Sequence, residues 1–291
     1  MKKLIRSIAL ILSLALLALP LTACSSSDEG EGGENEPANR LEAIQQRGYL
    51  EVATEPYFPP CEFIDPSKQG DDKYVGADIE LARYIAEKLG VECRIVPLEF
   101  QAVLAGVGEG KYDMAISALG YMPSREEAMN LSKGYYFSET SLGHGLIIRE
   151  EMRDEIKGVE DLEGKTIVYQ SGSLQELFVE QQIPVEVKEK KRVSGSTEIY
   201  LSVQEGKADC AIASLDTAML YIEANEGCGL IPVEGFTFFQ DESTLGTRIG
   251  MPKGEDELTA KVNEIIDEVL ETGVYENWYN EYADYAASLG L

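Results

Sequence analysis

After residue 40 the chain alternates between short apolar runs and stretches of helical spacing, and this alternation restricts the fold more than any other feature. Leu50 to Thr54 reads as a strand. Between Gly76 and Gly90, the residues Ile79, Ala82, Ile85, Ala86 and Leu89 recur on one helical face, and Gly90 can end the helix. Glu92 to Val96 reads as a strand, Phe100 to Glu109 as a helix, Tyr112 to Ser117 as a strand and Pro123 to Leu131 as a helix. The second half repeats the style, with strands at Lys165–Tyr169 and Cys210–Ala213 and helices at Ser173–Gln181, Tyr200–Glu205 and Thr217–Ala224. Residues 258–289 close the chain as long helices carrying Trp278 and several tyrosines. Such alternation predicts α/β lobes with largely parallel sheets. Ligands of these sheets sit beyond the carboxyl ends of the strands. No internal repeat is evident in the sequence.

The start of the chain has a different character. Lys2, Lys3 and Arg6 precede an apolar stretch from Ile8 to Leu19 that is too short to span a bilayer comfortably. Leu21-Thr22-Ala23-Cys24 follows and resembles the bacterial lipoprotein box. The resemblance implies a signal peptide over 1–23, cleavage before Cys24 and acylation there, with palmitate among the chains. Stable anchoring takes more than one lipid chain. Residues 25–37, SSSDEGEGGENEP, hold no apolar side chain, so 24–40 reads as lipidated Cys plus flexible tether. About 250 residues remain, which suits two modest lobes.

Charge narrows the function classes. Without the signal, Lys+Arg fall from 25 to 22 against 52 Asp+Glu, a net −30. Nucleic acid is excluded, because phosphate neutralisation needs basic surface. Any anion site must overcome this background with local positive charge. Cys61, Cys93, Cys210 and Cys228 fall as two pairs; disulfides and free thiols both fit an exported chain. No CxxC or His cluster suggests a metal or cofactor, and His144 stands alone at a position that favours a structural role.

Several ordered segments resemble the bacterial extracellular solute-binding proteins of family 3, the polar amino-acid receptors of ABC importers. They are Gly48-Tyr-Leu-Glu-Val-Ala-Thr54 running into Tyr57-Phe-Pro-Pro60, then Tyr74-Val-Gly-Ala-Asp-Ile-Glu-Leu-Ala82, Gly110-Lys-Tyr-Asp113, Pro123-Ser-Arg125 and Tyr135-Tyr136. Gln170-Ser-Gly-Ser173, Glu205-Gly-Lys-Ala-Asp209 and Glu271-Thr-Gly-Val-Tyr…Trp278 complete the set, which spans most of 41–285. The resemblance implies a type II periplasmic-binding-protein-like α/β fold. Two lobes are joined by two crossover strands that form a hinge, with ligand in the cleft. The crossovers are expected near Leu142–Leu146 and Thr244–Ile249, giving lobe one as 41–142 plus 249–291 and lobe two as 143–248. The implied partners are a small solute, an ABC permease and a membrane reached only through the lipid; the receptor is expected to be a monomer.

The resemblance also implies a site. Arg125 lies twelve residues after Asp113, where the family sets an Arg against the ligand's α-carboxylate. A guanidinium offers that group two parallel donors. Ser117, Ala118 and Gly120 fall in the loop that gives the carboxylate N–H groups and hydroxyls, although Gly120 and Met122 stand where hydroxyl residues are usual. Phe58 and Phe100 match aromatic positions around the ligand side chain. Glu55 matches an acidic pocket position that can hold a cationic group. Gln170 and Ser173 match the turn opening a helix that faces the cleft, and Ser173 also suits an N-cap. The family's ammonium-binding Asp falls on Ser214, five residues after Asp209; Asp216 is the nearest acid and also suits an N-cap. Two other functions share the scaffold, a secreted cyclohexadienyl-dehydratase-like enzyme with Glu55 as acid or base and a tethered sensor. No Ser/His/Asp or Cys/His set supports hydrolysis.

Overall fold

A computed structural model of the protein describes residues 36–137, 141–242 and 245–291. The signal segment, Cys24 and the tether up to residue 35 lie outside the described residues, as does Thr244 at the expected second crossover. Asn39 caps α1 (Arg40–Arg47) by accepting from the Glu42 N–H, and Gly48 ends the helix at φ 78°. The chain continues through β1 (Tyr49–Thr54), β2 (Tyr57–Phe58), β3 (Glu62–Ile64), β4 (Tyr74–Val75), α2 (Ala77–Leu89), β5 (Glu92–Pro97) and α3 (Phe100–Gly108). β6 (Met114–Gly120), α4 (Pro123–Ala128) and β7 (Met129–Leu131) follow. The second half contains β8 (His144–Arg149), β9 (Thr166–Gln170), α5 (Leu174–Gln182), β10 (Glu189–Val193), α6 (Ser196–Gln204), β11 (Cys210–Ser214), α7 (Leu215–Ala224) and β12 (Leu230–Pro232). β13 (Thr247–Pro252), α8 (Asp256–Thr272) and α9 (Val274–Leu289) end it.

Two five-stranded sheets result, in the orders β5-β1-β6-β13-β7 and β10-β9-β11-β8-β12. The expectation of largely parallel sheets holds for one half of each. β5, β1 and β6 run parallel, as do β10, β9 and β11. The returning strands β13 and β8 instead pair antiparallel on both their sides. Each of them lies fourth in its sheet, between the last parallel strand and an edge strand, and runs against both neighbours. The same pairing shortens the helix expected over Pro123–Leu131. Met129 turns extended and β7 takes ladder bonds from β13, which buries Met129. β13 pairs with the first sheet from Thr247 onward, opposite Gly120, so Thr247 and Arg248 sit there rather than in the second lobe where they were expected. The two orders also reveal a topological repeat that the sequence does not show.

Each repeat is tied down by the same device. Asp113 accepts from the Glu51 N–H at 2.8 Å in β1, and Asp209 accepts from the Thr166 N–H at 2.8 Å in β9. Asp113 is buried and is also paired with Arg40 and Arg47. The Gly-x-x-Asp segments are therefore strand-start clamps.

α2 packs Ile79, Leu81, Ala82, Ile85 and Ala86 fully into the first core. Burial of each large side chain contributes about 1.5–3 kcal/mol. Its N-terminus is held by the β2-β3-β4 meander, an antiparallel sheet that the alternation did not announce. The Asp78 N–H donates to the Cys61 carbonyl at 2.8 Å. Gly76 makes this approach feasible, because a Cβ there would lie 2.1 Å from the Cys61 carbonyl oxygen and its φ is +129°. Cys61, Cys93, Cys210 and Cys228 are all free thiols, which settles the alternative left open by their spacing.

Candidate functional site

A cavity of about 410 Å³ opens where the two sheets present their strand ends. Every site residue expected from the sequence lines it: Glu55, Phe58, Phe100, Ser117, Ala118, Gly120, Arg125, Gln170, Ser173, Ser214 and Asp216. Glu55 follows β1, Ser117, Ala118 and Gly120 belong to β6, and β2, α3 and α4 bring Phe58, Phe100 and Arg125; Gln170 and Ser214 end β9 and β11 of the other sheet, with Ser173 and Asp216 just beyond them.

Arg125 sits in α4 and is buried to 5% exposure. Its Nη1 donates to the Gly120 carbonyl at 2.6 Å, and its Nη2 crosses the cleft to the Gly172 carbonyl at 2.8 Å. Its Nε has no partner, and no ion pair holds it among the described residues. The guanidinium lies 5.4 Å from the Phe100 ring centre. Burial pushes its pKa down to about 10, so the cation persists at neutral pH without a counter-charge. Uncompensated buried charge is strongly unfavourable, and an incoming carboxylate relieves it.

The adjoining loop is committed elsewhere. The Ser117 hydroxyl donates to Glu62 Oε1 at 2.9 Å and accepts from the Glu55 N–H at 3.0 Å. The Ala118 N–H donates to Asp78 Oδ2 at 2.7 Å, with Ala118 held at φ 46°. The Ser117 hydroxyl and the Ala118 N–H, two of the donors that the resemblance assigns to the ligand carboxylate, are thus engaged within the protein in this structure.

Glu55 spans the cleft. Its carboxylate accepts from Gln170 Nε2 at 2.7 Å and from the Ser196 N–H at 3.4 Å. Desolvation raises its pKa from 4.5 to about 7 despite those bonds. Ser173 caps α5, with the Glu176 N–H donating to its Oγ, and still lines the cavity. Phe100 likewise does two things, packing in a buried cluster with Val103 and Val107 while facing the cavity. Asp216 does not occupy the N-cap of α7; Ser214 does, without a capping bond from its side chain. Asp216 instead accepts from Ser141 Oγ at 2.7 Å and from the Leu142 N–H at 3.1 Å, at the first crossover.

Sequence reasoning passed over several lining residues. His144 faces Gln175 at 3.2 Å, packs on Phe178, and is kept neutral by desolvation that pushes its pKa down to about 4. Cys61 and Glu62 form part of the wall. Ligand atoms of Cys61, Glu62 and Asp78 come within 4.8 Å of one another. This cluster is better described as a shared-proton site than as a metal centre. Asp78 already accepts from the hydroxyls of Tyr135 and Tyr275 and from the Ala118 N–H. Burial and the neighbouring Asp78 hold the Glu62 pKa well above the carboxylate range. The signal for Glu62 lay in the pattern Pro60-Cys61-Glu62-Phe63, where an acid breaks an apolar stretch.

Known proteins match this arrangement along nearly its whole length. A probable histidine-binding protein of Campylobacter jejuni is 27% identical over 270 residues, covering 92% of this chain and 95% of that one. The arginine-binding extracellular protein ArtP of Bacillus subtilis is 26% identical, covering 92% and 94%. Among solved structures, an amino acid ABC transporter substrate-binding protein of Streptococcus pneumoniae bound to L-arginine superposes with a TM-score of 0.73 at 27% identity, covering 84% of this chain and 97% of that one. An ancestral amino-acid-binding protein described as a precursor of cyclohexadienyl dehydratase shares the fold, with a TM-score of 0.70 at 24% identity. The family model described as bacterial extracellular solute-binding proteins, family 3, matches residues 50–285, and the chain belongs to that family.

Proposed function

We propose that this chain captures an amino acid with a cationic side chain in the interlobe cavity and delivers it to an ABC importer. The observation that carries the proposal is Arg125, a buried guanidinium bonded to two carbonyls and, among the described residues, to no carboxylate. An α-carboxylate supplies the missing charge with bidentate geometry. The side-chain preference rests on the cavity wall, where the acids Glu55, Glu62 and Asp216 outnumber the basic Arg125. A ligand carrying two cationic groups and one carboxylate offsets more of that acidity than a zwitterion does. The arginine- and histidine-binding relatives are consistent with it.

In this proposal the receptor acts as a monomer. Its lobes divide near residue 142 and again near residue 247, and ligand shifts them toward a closed form that the permease recognises. Lipid on Cys24 keeps the receptor beside its permease and raises their effective concentration. Native purification followed by mass spectrometry of the released solute tests the proposal. Recovery of an intact basic amino acid that raises Tm when restored is expected. Recovery of a converted product, or of a solute without a carboxylate, would overturn it. Cys24→Ser is expected to release the chain into the medium, and retention on the membrane would refute the anchor.

A further inference from the structure

A bound amino acid brings an α-ammonium into the cavity, and the position that resembles the family's acid for it is Ser214, a neutral side chain. The three carboxyl groups on the wall differ in what they still offer. Both oxygens of Glu55 accept from the second lobe, from Gln170 Nε2 and the Ser196 N–H. Both oxygens of Asp216 accept from the first crossover, from Ser141 Oγ and the Leu142 N–H. Glu62 is different. Its Oε1 is oriented by the Ser117 hydroxyl and its carboxyl hydrogen-bonds to Asp78, while among the described residues no N–H or hydroxyl group donates to its buried Oε2. The residue is 1% exposed and lines the cavity. A buried polar atom without a donor is rare and calls for a partner.

We propose that Glu62, through Oε2, receives the ligand's α-ammonium in place of an acid at position 214. The inference rests on the amino-acid reading given above. It moves the ammonium contact from the second lobe to the first, beside Ser117. It also carries a proton. Glu62 and Asp78 face each other across the wall, with Cys61, Tyr135 and Tyr275 packed against Asp78, and Glu55 adds a further negative field. Burial, with the facing carboxylate, pushes the Glu62 pKa up, and burial raises that of Asp78, so the pair holds a proton to higher pH than free carboxyls do. An ammonium supplies the compensating charge, so the proton leaves Glu62 for bulk solvent as the ligand arrives.

Calorimetric titration with L-arginine and L-histidine, and with the desamino analogue of each, tests this in two buffers of different ionisation enthalpy. The wild-type chain is expected to release more protons with an amino acid than with its desamino analogue. Glu62→Gln is expected to shrink the preference for the α-amino form by about 10- to 100-fold, the worth of a charge-assisted hydrogen bond. Ser214→Asp placed on Glu62→Gln is expected to restore it. Equal proton release by the two ligands overturns the proposal without any variant, so a poorly folded Glu62→Gln leaves it falsifiable. An unchanged preference in folded Glu62→Gln overturns it as well. Agmatine separates the two proposals: it lacks only the carboxylate, so wild-type binding of agmatine as tight as L-arginine refutes the role of Arg125 and says nothing against Glu62. Failure of all these probes to bind overturns both.

Discussion

In the proposed function Arg125 is the anion site, and its buried charge is also a weak point of the empty protein; Arg125→Met separates the two. The guanidinium pKa falls from 12.5 to about 10 through burial alone. At about 1.4 kcal/mol per tenfold change, that is about 3 kcal/mol of uncompensated charge in the ligand-free state. A ligand carboxylate on Nε and the Nη atoms removes this penalty and adds charge-assisted hydrogen bonds. Met keeps an apolar stem against Phe100, carries no charge, and frees the Gly120 and Gly172 carbonyls to the cavity's water. The expected outcome is an affinity for L-arginine lower by about 100-fold or more, with the Tm of the empty protein unchanged or raised. Calorimetric titration reads the first quantity and thermal unfolding without ligand reads the second. An affinity within about threefold of wild type would show that the carboxylate does not sit on Arg125. A fall in the ligand-free Tm beyond about 5 °C would show that the two carbonyl bonds outweigh the buried charge.

The remaining predictions concern pH and backbone. Burial raises the Glu55 pKa from 4.5 to about 7, so the native state holds this proton more tightly than the unfolded chain does. Its contribution to stability is complete below pH 4.5 and is lost as pH rises through 7, amounting to about 3 kcal/mol. Tm should therefore fall between pH 5 and pH 8, and Glu55→Gln should reduce that fall; an unchanged slope in the variant refutes the assignment. Over the same range, affinity for a cationic side chain should rise as Glu55 ionises, measurable by titration at three pH values. Gly76→Ala places a Cβ 2.1 Å from the Cys61 carbonyl at a φ of +129°, and is expected to destabilise by about 3 kcal/mol or more in urea unfolding. A loss under about 1 kcal/mol would mean that the meander shifts freely.

The sequence by itself determined the local pieces. Helical spacing of Ile79, Ala82, Ile85 and Ala86 placed α2, because a helix in contact with a core must repeat its apolar face every three to four residues. Most residues marked by the ordered motifs meet at the cavity because they lie in the carboxyl-terminal halves of strands or in the segments just after them. Tertiary structure alone decided which strands are neighbours, and with them the antiparallel crossovers and the topological repeat. Periodicity reports which face of an element is buried and carries no record of what lies beside it. The proton site is of the same kind. Glu62 meets Ser117 across 55 residues of chain, and Asp78 meets Tyr275 across 197. In the sequence Glu62 is one acid among 52. Folding removes its water and sets Asp78 opposite, and these two facts give it a chemistry that no local pattern encodes.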